Sequence, residues 1–476
     1  MRTSVSSLLV IGLFGSALWL PACESSGGDT GGGGSTSTNT DGGGGTTNTT
    51  GTDTNTDGGG GSTSSTGGGG TGGTTMTSTA AKCPGGPTEK LPAEISADMT
   101  LTADKCWAIE GIVYVNAPAK LTIEPGTTLL GDQGTKGTLV VKPGAKIIAD
   151  GKADEPIVFT SQKAPGSRAA GDWGGLIVLG SAPINVVGGK ASVEGIAVTP
   201  DTQYGGSKAD DDSGIIRHVR IEFSGIQLSM NNEVNGLTLA GVGNKTIVED
   251  VMVHDTLDDC FEFFGGTVNA KHLVCAFNQD DGFDWDFGYS GKLQFLALVQ
   301  DPVFEDDTNG FEGDNDADSS ANTPISNPTI YNVTMCGKNQ MVDGPKKQMG
   351  MLLRRSTKGS INNAVVTGFE WCADLRDPLT APVIKSSICH GNVLLNVGEQ
   401  QEIDWFNTAG AKNSEVDPKI KDCYAATPDF TPEATLTTNA ATPPNDGFFD
   451  TSATYIGAFT ADDNWAEGAW ISYARK

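Results

Sequence analysis

The chain has 476 residues, with 31 Lys and Arg against 58 Asp and Glu, a formal net charge of −27, and 65 glycines. That balance excludes nucleic acid and anionic membrane surfaces as electrostatic partners and favours a solvated surface that attracts cations. With 4 histidines and no CxxC pair, there is little from which to build a zinc centre.

After a single Arg2, the apolar run LLVIGLFGSALWL occupies residues 8–20. It is too short to cross a bilayer comfortably and reads as the apolar region of a signal peptide. LPAC follows at residues 20–23. It resembles the lipobox of bacterial lipoproteins. The resemblance implies a signal peptide over 1–22, cut before Cys23, and acylation of Cys23. Several acyl chains, at about 0.8 kcal/mol per buried CH₂, would hold the chain on a membrane. Glu24 after the cysteine implies the outer membrane in sorting of the enteric type. Residues 24–81 are almost wholly Gly, Ser, Thr, Asn and Asp. They cannot bury a core, so 23–82 is expected to be a disordered tether, with a span on the order of 40 Å.

From Cys83 onward the composition changes. Helix signals are nearly absent, and short β-branched runs alternate with Gly, Pro, Asn and Asp. LTIEPGTTLLGD at Leu121 and LVVKPGAKIIAD at Leu139 match with an offset of 18 (139 − 121), and EPIVFTSQ at Glu155 continues the series. Val251, Leu273 and Phe295 begin or sit in similar apolar strands spaced by 22, as do Ile361 and Val383. Repeats of this length without intervening helices predict an all-β parallel β-helix with coils of 18–22 residues, stacked at about 4.8 Å. The direct offsets favour this over a β-sandwich or propeller. The β-helix is expected over 83–397, with 398–476 an irregular capping segment of the same domain. Strand alternation sends Phe261, Phe263, Phe283, Trp285 and Phe287 inward, and Glu262, Phe264, Asp284 and Asp286 outward. Eight cysteines remain after Cys23, an even number that suggests disulfides in an exported chain. Cys83 with Cys106 and Cys260 with Cys275 are the nearest neighbours, but spacing leaves the connectivity open.

GDWGGLIVLGSAPIN at residues 171–185, NEVNGLTLAGVG at 232–243, DDCFEFFGGTVNAKHLV from Asp258, DDGFDWDFGYSGKLQF from Asp280 and MLLRRSTKG at 351–359 carry a family resemblance. The chain resembles bacterial secreted or surface lipoproteins expected to form right-handed, pectin-lyase-like β-helices. The closing YIGAFTADDNWAEGAW fits the same group. The resemblance implies a fold and a location rather than an activity.

The acids pose a chemical question. Asp258 aligns with Asp280, Asp259 with Asp281, and Glu262 with Asp284. NGFEG at 309–313 adds a third coil, offset by 28 (312 − 284), which places Asn309 over Asp281 and Glu312 over Asp284. Stacked like charges destabilise a sheet. A raised pKa, an interleaved base such as Arg354 or Arg355, or a hard cation would relieve them. Asp258, Asp259, Glu262, Asp280, Asp281, Asp284 and Glu312 are therefore candidate ligands for Ca²⁺. Asp314, Asp316 and Asp318 resemble half of an EF-hand loop, without its sixth-position Gly or its final Glu. Turn chemistry competes as an explanation, because Asp and Asn bond the local backbone at tight corners.

These features predict an outer-membrane, surface-exposed lipoprotein that presents a rigid acidic β-helix for adhesion or glycan binding. The alternative is a Ca²⁺-dependent polysaccharide lyase, with Arg217, Arg220, Lys271, Arg354 or Arg355 as the base. No acid and base pair with suitable spacing is evident for it. Trp173 and Trp371 read as core or cap residues, with sugar stacking the alternative. His254 reads as a surface strand residue.

Overall fold

The computed structural model describes residues 83–475 except 230, 231, 233, 304–307, 317–320, 342–346 and 377–381. The signal peptide, Cys23, the tether and Asp318 lie outside the described residues. Strands rich in Val, Ile, Leu and Phe alternate with corners bearing Gly, Asp and Asn. Nearly all of them pair in parallel with the strand one coil away, forming one sheet of 15 strands and one of 10. The result is a right-handed parallel β-helix.

Inward positions stack into columns. Leu237, Phe261, Phe283, Phe311 and Met351 lie in register through successive coils of the 10-stranded sheet. Phe261 and Phe283 stack with ring centroids 5.3 Å apart. Each fully buried ring of this kind stabilises the fold by roughly 1.5–3 kcal/mol. The neighbouring column runs from Trp285 to Gly313, Leu353 and Leu375. A Cβ at Gly313 would lie 2.3 Å from Trp285 Cζ2, so this glycine makes room for the indole.

The 22-residue coil holds where Phe261 meets Phe283, but other coils range from 18 residues (107 − 89) to more than 60 (237 − 176), and three sequence alignments shift. Leu121 stacks on Ile147 and Leu139 on Leu176. The positions that match at an offset of 18 therefore do not stack on each other; instead the first strand of one segment pairs with the second strand of the other. Both segments repeat a strand, Pro-Gly turn and strand module within the wall. Leu273 pairs with Leu296 rather than Phe295, and Ile361 with Ile384, each one residue later than expected. Phe295 instead occupies a bend. The long strands of the 15-stranded sheet each turn at one left-handed residue: His218, Asp250, His272, Phe295, Asn332 and Asn363, with φ between 44° and 62°. These fill the single gaps in the strand registers, one above another.

Two excursions cover the outside of the solenoid. Residues 181–210 include the hairpin pair Ala191–Ser192 and Gln203–Tyr204. They pack Ile184, Val193 and Tyr204 against Leu179, Ala240 and Phe264. The excursion covers Phe264, and the outward residues Glu262, Phe264, Asp284 and Asp286 are all buried, where alternation alone would expose them. Phe287 departs from its expected inward position: its strand ends at Asp286, its φ is 48°, and it joins Phe264 in the outer apolar cluster.

The second excursion is the C-terminal segment. Helix Gln400–Phe406 places Phe406 in the central core beside the last coils. The chain then returns along the outside of the 15-stranded sheet. Asn363 donates to Ala441 O, Asn332 to Gly457 O, and Arg475 reaches Asp255. Phe430, Phe459 and Trp470 cover Met252, Val274 and Ala297. His254 lies beneath this strap and is completely buried, so it is not a surface residue. The strap conceals it through contacts with no local sequence signature. Trp173 is a core residue, stacked on Phe159, and Trp371 is half-buried on a late strand.

Disulfides join Cys83 to Cys106, Cys260 to Cys275, Cys336 to Cys423 and Cys372 to Cys389. The third ties the strap to the sheet. Four disulfides fit an exported protein. Among the described residues, no helix is long and apolar enough to cross a membrane.

Candidate functional site

The registers confirm the stacking of the acids. Thr238, Glu262, Asp284, Glu312 and Leu352 form one outward column on the 10-stranded sheet. Glu262, Asp284 and Glu312 are 5%, 6% and 8% exposed. Such acids cannot be treated as solvated charges. Asp258 and Asp280 are half-buried at the rim, while Asp259 and Asp281 are buried at the corner.

Corner chemistry accounts for part of the pattern. Asp259 Oδ1 accepts a hydrogen bond from the Asp281 N–H at 2.8 Å. Asp281 Oδ1 accepts from the Asn309 N–H at 2.6 Å, and Asn309 Oδ1 from the Met349 N–H at 3.1 Å. Each corner thus caps the next coil, as short polar side chains do in turns. Sequence reasoning missed a fourth member. Asn235 precedes Gly236 and Leu237 as Asp281 precedes Gly282 and Phe283, and its amide donates to Glu262. The signal was present in NGLTL, DCFEF, DGFDW and NGFEG, where an Asp or Asn stands two positions before each inward apolar residue.

The remaining charge is handled differently at the two ends of the column. At the upper end, Arg354 pairs with Glu312 and with Asp314, the latter at 3.1 Å, and Arg355 pairs with Asp314 at 2.9 Å. Burial and the neighbouring Asp280 push Asp281 up to about 7, against the bond it accepts from the Asn309 N–H. Burial followed by repulsion from Asp281 raises Glu312 as well, against the pull of Arg354. Two guanidinium groups therefore face the carboxylates of Glu312 and Asp314.

At the lower end, one ligand oxygen each from Asp259, Glu262 and Asp284 lies within 4.8 Å of the others, and Asp258, Asp259 and Asp280 form a second such group at the rim. Burial raises Asp259, and the next largest influences on it are Asp258, Asp280, Asp281 and Asp284, all carboxylates. Asp284 is raised by burial and then by Glu312, Glu262, Asp314 and Asp281. Glu262 is raised by burial and by Asp258, Glu194 and Asp286, and lowered by Asn235. Asp284 Oδ1 is buried with no hydrogen-bond partner. An all-oxygen set of this kind fits a hard cation such as Ca²⁺.

The other basic candidates do not join the acids. Arg217 is paired with Asp150 and Glu249, and Arg220 with Glu222. Lys271 lies over the Phe448 ring, and burial lowers its pKa. All three are on strands of the 15-stranded sheet. Arg354 and Arg355 alone among the five reach the column region. Asp314 and Asp316 are buried, with Asp314 taken up by these arginines.

A solenoid wall of parallel strands, with buried acids grouped on its outer face, defines a parallel β-helix protein. Residues 93–440 match the family described as "Pectate-lyase like beta helix domain", and the chain belongs to that family. No curated protein and no solved structure matches the chain.

Proposed function

We propose that this is an exported, lipid-anchored protein of the outer membrane that binds polysaccharide through its β-helix, with the buried acids taking Ca²⁺ to stabilise the wall. The family supports a polysaccharide-related role. The observation that favours binding over lyase chemistry is the state of Arg354. It is 7% exposed and paired with Glu312 and Asp314. A lyase base must reach a proton on a bound sugar, whereas this guanidinium is committed inside the wall.

A glycan array probed with the full chain, with and without chelator, tests the reading. Retained glycan without cleavage products is the expected result. Release of unsaturated oligosaccharides would replace it with the lyase reading. The anchor is tested separately by detergent-free fractionation of Cys23→Ser, which should move the protein from membrane to soluble fractions.

A further inference from the structure

Building on the cation reading above, we infer that one divalent cation sits between coils in the lower half of the acid column, held by Asp259, Glu262 and Asp284, and that Glu312 is not among its ligands. The division follows from the charges that the fold places around each half. Above, Glu312 and Asp314 meet Arg354 and Arg355. Below, Asp259, Glu262 and Asp284 bring a ligand oxygen each to within 4.8 Å of one another. The Asn235 amide donates to Glu262, but an amide supplies no charge. A divalent ion would contribute the two positive charges that the two arginines supply above.

The buried Asp284 Oδ1 independently indicates a missing partner. It has no hydrogen-bond donor and no solvent, and Asp284 as a whole is 6% exposed. A buried acceptor left in this state is costly. An ion between Glu262 and Asp284, which are paired neighbours in adjacent strands, would satisfy it. The ligands are oxygens only, which selects hard ions such as Ca²⁺ over thiophilic ones. Because all three ligands are buried, the ion joins one coil to the next and does not present itself to a sugar.

The test is calorimetric titration of the metal-free full chain with Ca²⁺, repeated on Glu262→Gln, Asp284→Asn and Glu312→Gln. Circular dichroism in chelator establishes that each variant is folded. Glu262→Gln keeps a side-chain carbonyl to accept from Asn235, so it carries the test if Asp284→Asn fails to fold. The wild type should bind one ion at this site, and the two lower variants should weaken binding by at least about tenfold, since affinity follows ligand charge. Glu312→Gln should bind within about threefold of wild type. Equal loss in Glu312→Gln and Glu262→Gln would overturn the division while leaving the cation reading standing. Absence of binding by the wild type would overturn both.

Discussion

Arg475, near the end of the chain, closes on Asp301, 174 residues earlier, with Nη2 and Oδ2 2.5 Å apart. Its Nε also lies 3.1 Å from Asp255 Oδ1. Asp255 and Asp301 are buried, at 5% and 4% exposure. The strap thus brings a guanidinium to Asp301 and to Asp255, which also meets His254 of the solenoid. Arg475→Ala should cost about 2–3 kcal/mol, mostly because it leaves the buried Asp301 without its cation. Urea unfolding checks the loss. Hydrogen exchange should show faster opening of residues 465–475, while the strands of the 10-stranded sheet remain protected.

His254 gives the same region a pH dependence. Burial opposes its charge, but the bond to Asp255 and the nearby carboxylate of Glu222 outweigh burial and raise its pKa above 6.5. Nδ1 lies 3.0 Å from Asp255 Oδ2, and Nε2 3.6 Å from Glu222 Oε1. Arg220, paired with Glu222, and Arg475, paired with Asp255, also face this group. The folded pKa exceeds the unfolded one, so the stabilisation is fully present below pH 6.5 and is lost as pH rises through the raised value. Asp281, raised to about 7, contributes a trend of the same sign. The comparison must therefore be with His254→Gln. Melting temperature should fall more steeply above pH 6.5 in wild type than in this variant, and parallel curves would contradict the assignment.

The wall of the fold was legible in the sequence because the strands supply its period locally. The 22-residue match between DDCFEFF and DDGFDWD carries its own register, and a 28-residue offset recovered Glu312. The coverings were not legible. His254 reads as an exposed alternating residue because the strap over it arrives from more than 200 positions away, as the bond from the Ser472 N–H to Met252 shows. Glu262 and Asp284 likewise read as outward, which is their direction, but direction within a strand does not determine exposure. For Glu262, which has Glu194 of the excursion among its neighbours, packing from outside the strand decides it, and nothing in the excursion's own sequence states where it lands.

The corner ladder predicts a difference between two substitutions at one position. Asp281 Oδ1 accepts from the Asn309 N–H, and Asn309 performs the same task for Met349 with an amide oxygen. Asp281→Asn can retain that bond and removes a buried charge, so its stability should stay within about 1 kcal/mol of wild type. Asp281→Ala leaves the buried N–H unsatisfied and should cost about 1–3 kcal/mol. Equal losses in denaturant titrations would show that charge, rather than the corner bond, is what this position supplies.

Asn332 unites the bend and the strap. Its φ is 58°, a left-handed conformation that Asn tolerates better than most residues. Its fully buried side chain donates from Nδ2 to the carbonyls of Ala453, Tyr455 and Gly457, at 3.3, 2.8 and 3.2 Å. Three substitutions separate the two duties. Asn332→Gly keeps the backbone at ease but loses the donors, and should cost about 1–3 kcal/mol. Asn332→Ala adds backbone strain and should cost about 1 kcal/mol more than glycine. Asn332→Asp keeps the shape but turns a carboxylate toward three carbonyl oxygens in a buried site, and should be the most destabilising of the three. Urea titrations of the series check the order. If Asn332→Asp matched wild type, the strap would not depend on this side chain, and the bend alone would explain the asparagine.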